Sequence, residues 1–336
     1  LQVVFLNRLG EYWEPGLGNL KREFPHVNFI EDSSPENRNN LLKTTDVLIS
    51  GKLTKEEIEI ARNLKILFVP YTGLNNFPVE LLKERGILIS NTHANAKYVA
   101  EKAVALALAL LGRVVEYHND LKRGLWNRSF DQSDTWLSIQ GRTCGILGYG
   151  SIGRHIARFL KSFDCRIIGF KKHVHGKHQP ENMRENEHAD ELTSDLTEVI
   201  SKSSLIFICL PLNSETKGLI NSKVLESMKE KFLVNISRGS IVDEDALYNA
   251  LKNGTLAGAA LDVWYNYPGK FAADKNEQVF PSNKPIYDLP NVVISPHKAS
   301  NTSEAIKAMI DDTLQNIREY LLTGKTKDLI EKEHMY

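Results

Sequence analysis

Three groups of residues in this sequence carry chemistry. The first is Gly148-Tyr-Gly-Ser-Ile-Gly153, which follows the apolar run Cys144 to Leu147 and precedes the helix-like Arg154-His-Ile-Ala-Arg-Phe-Leu160. A parallel strand that turns tightly at Gly148 aims the next helix N-terminus at a pyrophosphate. Gly150 lets the phosphates approach the backbone, and Gly153 lets helix and strand pack closely. The same spacing occurs in plain structural turns; its place between a strand and an amphipathic helix is what favours a dinucleotide. The second group is Arg238, in Asn235-Ile-Ser-Arg-Gly239 after one strand-like run, with Asp262 after the next. The third is Pro296-His297 after the last. A guanidinium in a crevice binds a carboxylate as a planar fork, and an imidazole exchanges a proton near neutral pH. With a bound nicotinamide these make a hydride-transfer site: Arg238 orients and polarises a 2-oxo acid, and His297 protonates its carbonyl oxygen. Plainer roles compete, a surface ion pair for Arg238 and a helix cap for His297.

The strand after the glycine loop bears on which dinucleotide is bound. Cys165-Arg-Ile-Ile-Gly-Phe170 reads as that strand, and Lys171 stands where an acid would grip the ribose hydroxyls, followed by Lys172. An acid there suits NAD, whereas a cation accommodates a 2′-phosphate. His173, His175, Lys177 and His178 keep the stretch basic, with no acid before Glu181. NADP is therefore favoured over NAD, against the plain alternative of a solvated basic loop.

These residues need elements to hold them. Short apolar runs (Val3 to Leu6, Val27 to Ile30, Asp46 to Ile49, Ile66 to Val69, Ile87 to Ile89) alternate with helical patterns at Thr54 to Arg62 and Phe77 to Arg85. Thr54 and Glu57 have capping-box spacing, and Gly86 stops the later helix. Such βα repetition predicts a parallel sheet covered on both faces. A long helix is expected from Asn95 toward Leu121, its Ala103 to Leu111 stretch buried between two layers. Further strands are expected at Ser204 to Cys209, Phe232 to Asn235, Ala257 to Leu261 and Val292 to Ile294. Helices are expected at Asp243 to Asn253 and Asn301 to Leu322, the last returning to the first domain. The 336 residues suffice for two domains. Forty-two basic and 42 acidic side chains cancel, giving no field to recruit nucleic acid or an anionic membrane. Ala103 to Leu111 is too short to span a bilayer. Cys144, Cys165 and Cys209 have no metal-ligand spacing and read as buried free thiols in a reducing compartment, the cytoplasm. No secretory signal is visible, and because the chain begins at Leu1, preceding residues are expected.

Several ordered segments together resemble the D-isomer-specific 2-hydroxyacid dehydrogenases. They are Gly148-Tyr-Gly-Ser-Ile-Gly153, Cys209-Leu-Pro-Leu-Asn213 with Thr216, Val234-Asn-Ile-Ser-Arg-Gly239-Ser-Ile-Val-Asp-Glu244, Gly258-Ala-Ala-Leu-Asp-Val263 and Asn291-Val-Val-Ile-Ser-Pro-His297. The resemblance spans nearly the whole chain. It implies an α/β fold of two Rossmann-like or flavodoxin-like parallel-sheet domains flanking an active-site cleft. Residues 1–97 with 299–336 would form the substrate domain and 98–298 the nucleotide domain, with a homodimer built through the latter. It implies Arg238 as the substrate-orienting arginine, His297 as the acid/base and Asp262 beside the nicotinamide amide. The cofactor would be lined by Gly148, Gly150, Ser151, Ile152, Gly153, Lys171, Lys172, Leu210, Pro211, Thr216, Ile236, Ser237, Asp262 and His297. Tyr71, Thr72 and Gly73 fall in the family's substrate-carboxylate loop. Lys52 is a further anion contact or an exposed lysine, and Asn95 to Glu101 resembles the hinge.

Two departures matter. NAD-using members place an aspartate where Lys171 stands. The acidic partner of the histidine normally precedes the proline that is Pro268 here, and that position is Tyr267. Tyrosine orients by hydrogen bonding but supplies no negative charge at pH 7, so His297 is expected to be less basic than its counterparts unless Asp274 or Glu277 folds back to it. The expected activity is reversible hydride transfer between NADP(H) and a small 2-oxo acid or D-2-hydroxy acid. The alternatives are an NAD(H)-dependent dehydrogenase of an unusual anionic substrate that needs no strong acid, and a non-catalytic nucleotide-sensing or scaffold protein.

Overall fold

A computed structural model describes residues 1–126, 135–172, 187–268 and 278–330. The chain divides into two compact units, Leu1–Asn95 with Asn301–Tyr336, and Ala96–Ser300.

The first unit alternates β1 (Gln2–Phe5), α1 (Glu14–Glu23), β2 (Asn28–Glu31), α2 (Pro35–Leu42), β3 (Val47–Ile49), α3 (Lys55–Ile60), β4 (Ile66–Val69), α4 (Val79–Glu84) and β5 (Leu88–Asn91). The five strands pair in parallel in the order β2-β1-β3-β4-β5, the flavodoxin-like doubly wound arrangement. Central β3 and β4 are buried at every residue, which is why they read as unbroken apolar runs instead of alternating ones. The expected capping box starts α3: Thr54 N–H donates to Glu57 Oε2 at 2.8 Å and Glu57 N–H to Thr54 Oγ1 at 3.2 Å.

The second unit runs α5 (Ala96–Leu111), α6 (Val114–Lys122), β6 (Thr143–Leu147), α7 (Ser151–Lys161), β7 (Arg166–Phe170), β8 (Glu191–Thr193), α8 (Leu196–Lys202), β9 (Leu205–Ile208), α9 (Ser222–Ser227), β10 (Phe232–Asn235), α10 (Glu244–Lys252), β11 (Gly258–Leu261) and β12 (Val292–Ile294). The seven strands are parallel in the order β12-β11-β10-β9-β6-β7-β8. Strand order reverses between β6 and β9, so this is the doubly wound nucleotide-type sheet with one extra strand. The last helix, α11 (Ser303–Thr323), belongs to the first unit. Its Ile310, Leu314 and Ile317 join Phe5, Trp13, Leu17, Leu20 and Phe68 in one core.

Two expectations about the long helix are corrected. It breaks at Gly112 and Arg113: Gly112 N–H bonds Leu108 O at 2.8 Å, and Arg113 takes a left-handed φ of 49° before α6 begins. Glycine is a poor helix residue, and α6 buries no side chain that would repay continuing the helix in line. Nor is α5 buried between layers. One face packs on α7 and the sheet through Ala100, Ala103 and Ala107, while Ala105 and Leu108 are exposed.

Candidate active site

The glycine loop is built by close approach. Gly148 has φ +98°, and a Cβ on it would lie 2.7 Å from the carbonyl carbon of Cys209. The turn after β6 therefore rests directly on the chain leaving β9, at the switch point of the sheet. A Cβ on Gly153 would fall 2.6 Å from Gly148 O, which makes this the glycine that seats α7 against the strand. At Gly150 the reverse holds: a Cβ would meet nothing within 4 Å. No side chain caps the first turn of α7, so the N–H groups of Ser151, Ile152 and Gly153 have no intrahelical acceptor. An open face over glycine, next to uncapped helical N–H groups, fits a dinucleotide pyrophosphate. Tyr149 points the other way. It is buried across Gly169 of β7 and donates its hydroxyl to Glu187 O at 2.6 Å.

At the end of β7, Lys171 N–H pairs with Thr193 O at 3.0 Å. The Lys172 ammonium bonds both carboxylate oxygens of Glu215, at 2.8 and 2.6 Å. The local sequence around the lysines contains no such acid; it comes from 43 residues away. Glu215 sits on a fixed turn, where Asn213 Oδ1 accepts from the N–H groups of Glu215 and Thr216 at 2.9 Å each. Thr216 donates its hydroxyl to Pro211 O at 2.6 Å, and Ser237 donates its own to Leu210 O. Both hydroxyls thus shape the loops beside the glycine turn. Ile236 is buried next to Ser237. His173, His175, Lys177, His178 and Glu181, like Asp274 and Glu277, lie outside the described residues.

Arg238, Tyr267 and His297 come together beyond the carboxyl ends of β10, β11 and β12. Gly239 makes this possible, since a Cβ there would lie 2.3 Å from Trp264 O; the loop bearing Arg238 presses on the segment bearing Tyr267. Arg238 is half-buried and donates from Nη1 to Ser237 O at 2.8 Å, while Asn235 Nδ2 holds Arg238 O at 3.0 Å. The Tyr267 hydroxyl oxygen accepts Trp264 N–H at 3.0 Å. Its ring faces the His297 imidazole with centroids 5.5 Å apart at 54°.

His297 has a left-handed φ of 54°, a conformation that costs a non-glycine residue about 1–3 kcal/mol. Asp262, fully buried, holds it there. Its Oδ1 accepts from Ser295 Oγ at 2.5 Å and Lys298 N at 2.9 Å, and its Oδ2 from Ala299 N at 2.8 Å. Trp264 Nε1 adds a bond to Ser295 O at 2.8 Å. Hydrogen bonds to a charged acceptor contribute about 1.5–3 kcal/mol each, so bonds on both sides of His297 outweigh the strain between them. Asp262 is thus a positioning residue for His297, a role that bonds spanning 33 to 37 residues conceal from local sequence.

The electrostatics follow from this packing. Burial pushes His297 below its ordinary value, the Arg238 guanidinium pushes the same way, and Asp262 opposes both. Burial raises Tyr267, against the Trp264 N–H and Arg238, so its phenol keeps its proton at neutral pH. Burial also lowers Arg238, which stays a cation. Among the described residues no carboxylate hydrogen-bonds His297.

Tyr71, Thr72 and Gly73 lie in the first unit, after β4. The Tyr71 hydroxyl bonds Gly51 O, and the Thr72 hydroxyl bonds Thr92 O at 3.0 Å. Asn91 Nδ2 holds Thr72 O at 2.7 Å. These bonds fix the loop from three sides. Lys52 is exposed, and its carbonyl accepts Arg38 Nη2 at 3.0 Å.

Comparison with known proteins bears on the family. The profile of the D-isomer specific 2-hydroxyacid dehydrogenase NAD binding domain matches residues 104–299. A glyoxylate reductase of Thermofilum pendens is 32% identical over 329 residues, 95% of this chain and 92% of that one. A D-3-phosphoglycerate dehydrogenase of Methanocaldococcus jannaschii is 32% identical over 285 residues, and the chain spans half the length of that relative. Among solved structures, an acyclic imino acid reductase in complex with NADPH and D-Arg superposes with a TM-score of 0.79 at 26% identity, covering 98% of this chain and all of that one.

Proposed function

The chain belongs to the D-isomer-specific 2-hydroxyacid dehydrogenase family, and from this premise we propose that Arg238 and His297 carry its chemistry on a small 2-oxo acid. The protein is an NAD(P)-dependent oxidoreductase that transfers hydride between the cofactor and a small 2-oxo or 2-hydroxy acid. The observation that carries the assignment of roles is the convergence of Arg238, Tyr267 and His297 at one end of one sheet. Arg238 forks the substrate carboxylate. His297, held by Asp262, faces the carbonyl oxygen and gives it a proton in reduction or takes one in oxidation. The cofactor lies on the Gly148–Gly153 turn and supplies or accepts hydride when bound. Turnover of NADPH by the purified protein with glyoxylate, pyruvate, hydroxypyruvate and bulkier 2-oxo acids tests this reading. Tight cofactor binding without turnover on any of them would replace it with nucleotide sensing.

We assign NADP(H) as the preferred cofactor, the 2′-phosphate falling to Lys171 and Lys172. An NADPH-bound reductase among the similar structures supports that choice. In the structure Glu215 competes for Lys172. Glu215→Gln removes a full negative charge from beside the phosphate subsite and should tighten NADPH by roughly twofold to fivefold, about the worth of one exposed charge pair, with little change for NADH. Titration of cofactor fluorescence with both dinucleotides measures this. A tenfold preference of the native protein for NADH would remove the assignment.

The partner we assign is a second copy, joined through the nucleotide-binding unit. Leu108, Val114, Val115, Leu121, Leu125, Trp136 and Leu137 are all exposed in that unit, and apolar exposure on this scale marks an association surface. Light scattering should give a dimer mass, and Val115→Asp should lower it; a monomeric native protein would end this assignment. No helix among the described residues is long and apolar enough to cross a membrane. Three free thiols suit a reducing compartment, and we assign the cytoplasm.

A further inference from the structure

We propose that the site formed by Arg238, Tyr267 and His297 also accepts the protonated imine of a 2-oxo acid, formed with ammonia or a primary amine, and reduces it to a 2-amino acid. The proposal rests on the hydride-transfer reading above and concerns what these residues offer the reacting heteroatom. Among the described residues, the groups bearing on the imidazole are the Arg238 cation, the Asp262 carboxylate and the neutral Tyr267 phenol. Asp262 spends its oxygens on Ser295, Lys298 and Ala299. The Tyr267 ring faces the imidazole with centroids 5.5 Å apart, and no carboxylate among the described residues hydrogen-bonds that imidazole.

Such a site suits one heteroatom better than another. Hydride addition to a carbonyl carbon leaves an alkoxide, which must take a proton as the C–H bond forms; an imidazolium supplies it and a neutral imidazole does not. A protonated imine brings its proton with it. Hydride from the reduced nicotinamide forms the C–H bond, the C=N π pair becomes a lone pair on nitrogen, and the resulting amine takes a proton from water. The nicotinamide is oxidised and the carbon reduced by the same electron pair. A neutral His297 accepts the N–H of the iminium, whereas an imidazolium repels it. The substrate's carboxylate keeps Arg238 as partner, and its positive nitrogen would meet the imidazole and the Tyr267 phenol, neither of which is an anion. Burial and the Arg238 guanidinium both push His297 toward its neutral form.

Two measurements test this. In the first, NADPH consumption and product are followed for pyruvate alone and for pyruvate with methylamine, from pH about 6 to about 9. The expected result is a rate with amine at least about tenfold higher at the alkaline end, N-methylalanine as product, and a smaller gap in Tyr267→Glu. Amine-independent turnover to lactate alone overturns the imine proposal and leaves the 2-oxo acid reading intact. Absence of turnover with either mixture also overturns the imine proposal, and sinks the 2-oxo acid reading only if glyoxylate, hydroxypyruvate and bulkier 2-oxo acids fail as well. The second needs no turnover. N-methylalanine, whose ammonium stands in for the iminium, is titrated calorimetrically into the protein between pH about 5 and about 7.5. Its affinity should rise as His297 loses its proton, and the rise should vanish in His297→Asn. An affinity flat with pH in the native protein overturns the proposal.

Discussion

His297→Asn lowers kcat for reduction of a 2-oxo acid by about 10²–10⁴-fold, the worth of a positioned general acid, with KM for NADPH unchanged. Asparagine is the informative replacement because it tolerates the left-handed backbone at this position, so the loop held by Asp262 stays in place. The loss should be greatest at acid pH. There the native protein holds the imidazolium, and activity on a 2-oxo acid falls as pH rises through the lowered titration of His297. The variant, lacking the group, should show that limb flattened. Imine reduction, for which an amide oxygen can still accept an N–H, should lose less. An unchanged kcat with an unchanged acid limb would mean that another group delivers the proton.

Arg238→Ala removes the charged partner of the substrate carboxylate. Truncating one member of a partly buried, hydrogen-bonded charge pair costs about 2–5 kcal/mol, equivalent to roughly 30-fold to 5000-fold in kcat/KM. The loss should fall on kcat/KM for every carboxylate substrate, while the dissociation constant of NADPH, set by the Gly148 turn, stays within about twofold. Removing Arg238 also lifts its depressing influence from His297, so the residual activity should extend to higher pH. Equal losses in substrate and cofactor binding would show that the variant has disturbed the loop packed on Trp264 and would withdraw the assigned role.

The parts of this site that rest on local geometry were legible from the chain alone. Gly148, Gly150 and Gly153 announce their turn because all three fall within one stretch of six residues, although the approach of Gly148 to Cys209 does not show there, and the buried parallel strands announce themselves as apolar runs. Arg238 and His297 stood out as polar groups directly after such runs. What could not be read depends on long-range approach. Glu215 reaches Lys172 across 43 residues, so the lysines looked free of acids. Asp262 reads as a cofactor contact, yet its bonds run to Ser295, Lys298 and Ala299. The break at Gly112 and Arg113 was hidden for another reason: Val114, Val115 and Leu121 continue a helical pattern whose apolar face this chain does not itself cover.

The composition of the first unit bears on how the protein comes to be folded. Phe5, Trp13, Leu17 and Leu20 share a core with Ile310, Leu314 and Ile317 of α11, and all of residues 96–300 are synthesised between the two halves. At ribosomal rates those 205 residues take roughly 10–40 s to emerge, long enough for the second unit to fold by itself. For that interval the N-terminal segment carries an open apolar face, and the side of α1 that Gly16 leaves bare for Leu314 has no occupant. Truncation or slow delivery of α11 would therefore show first as aggregation of the newborn chain, through its N-terminal unit, before any loss of the nucleotide site.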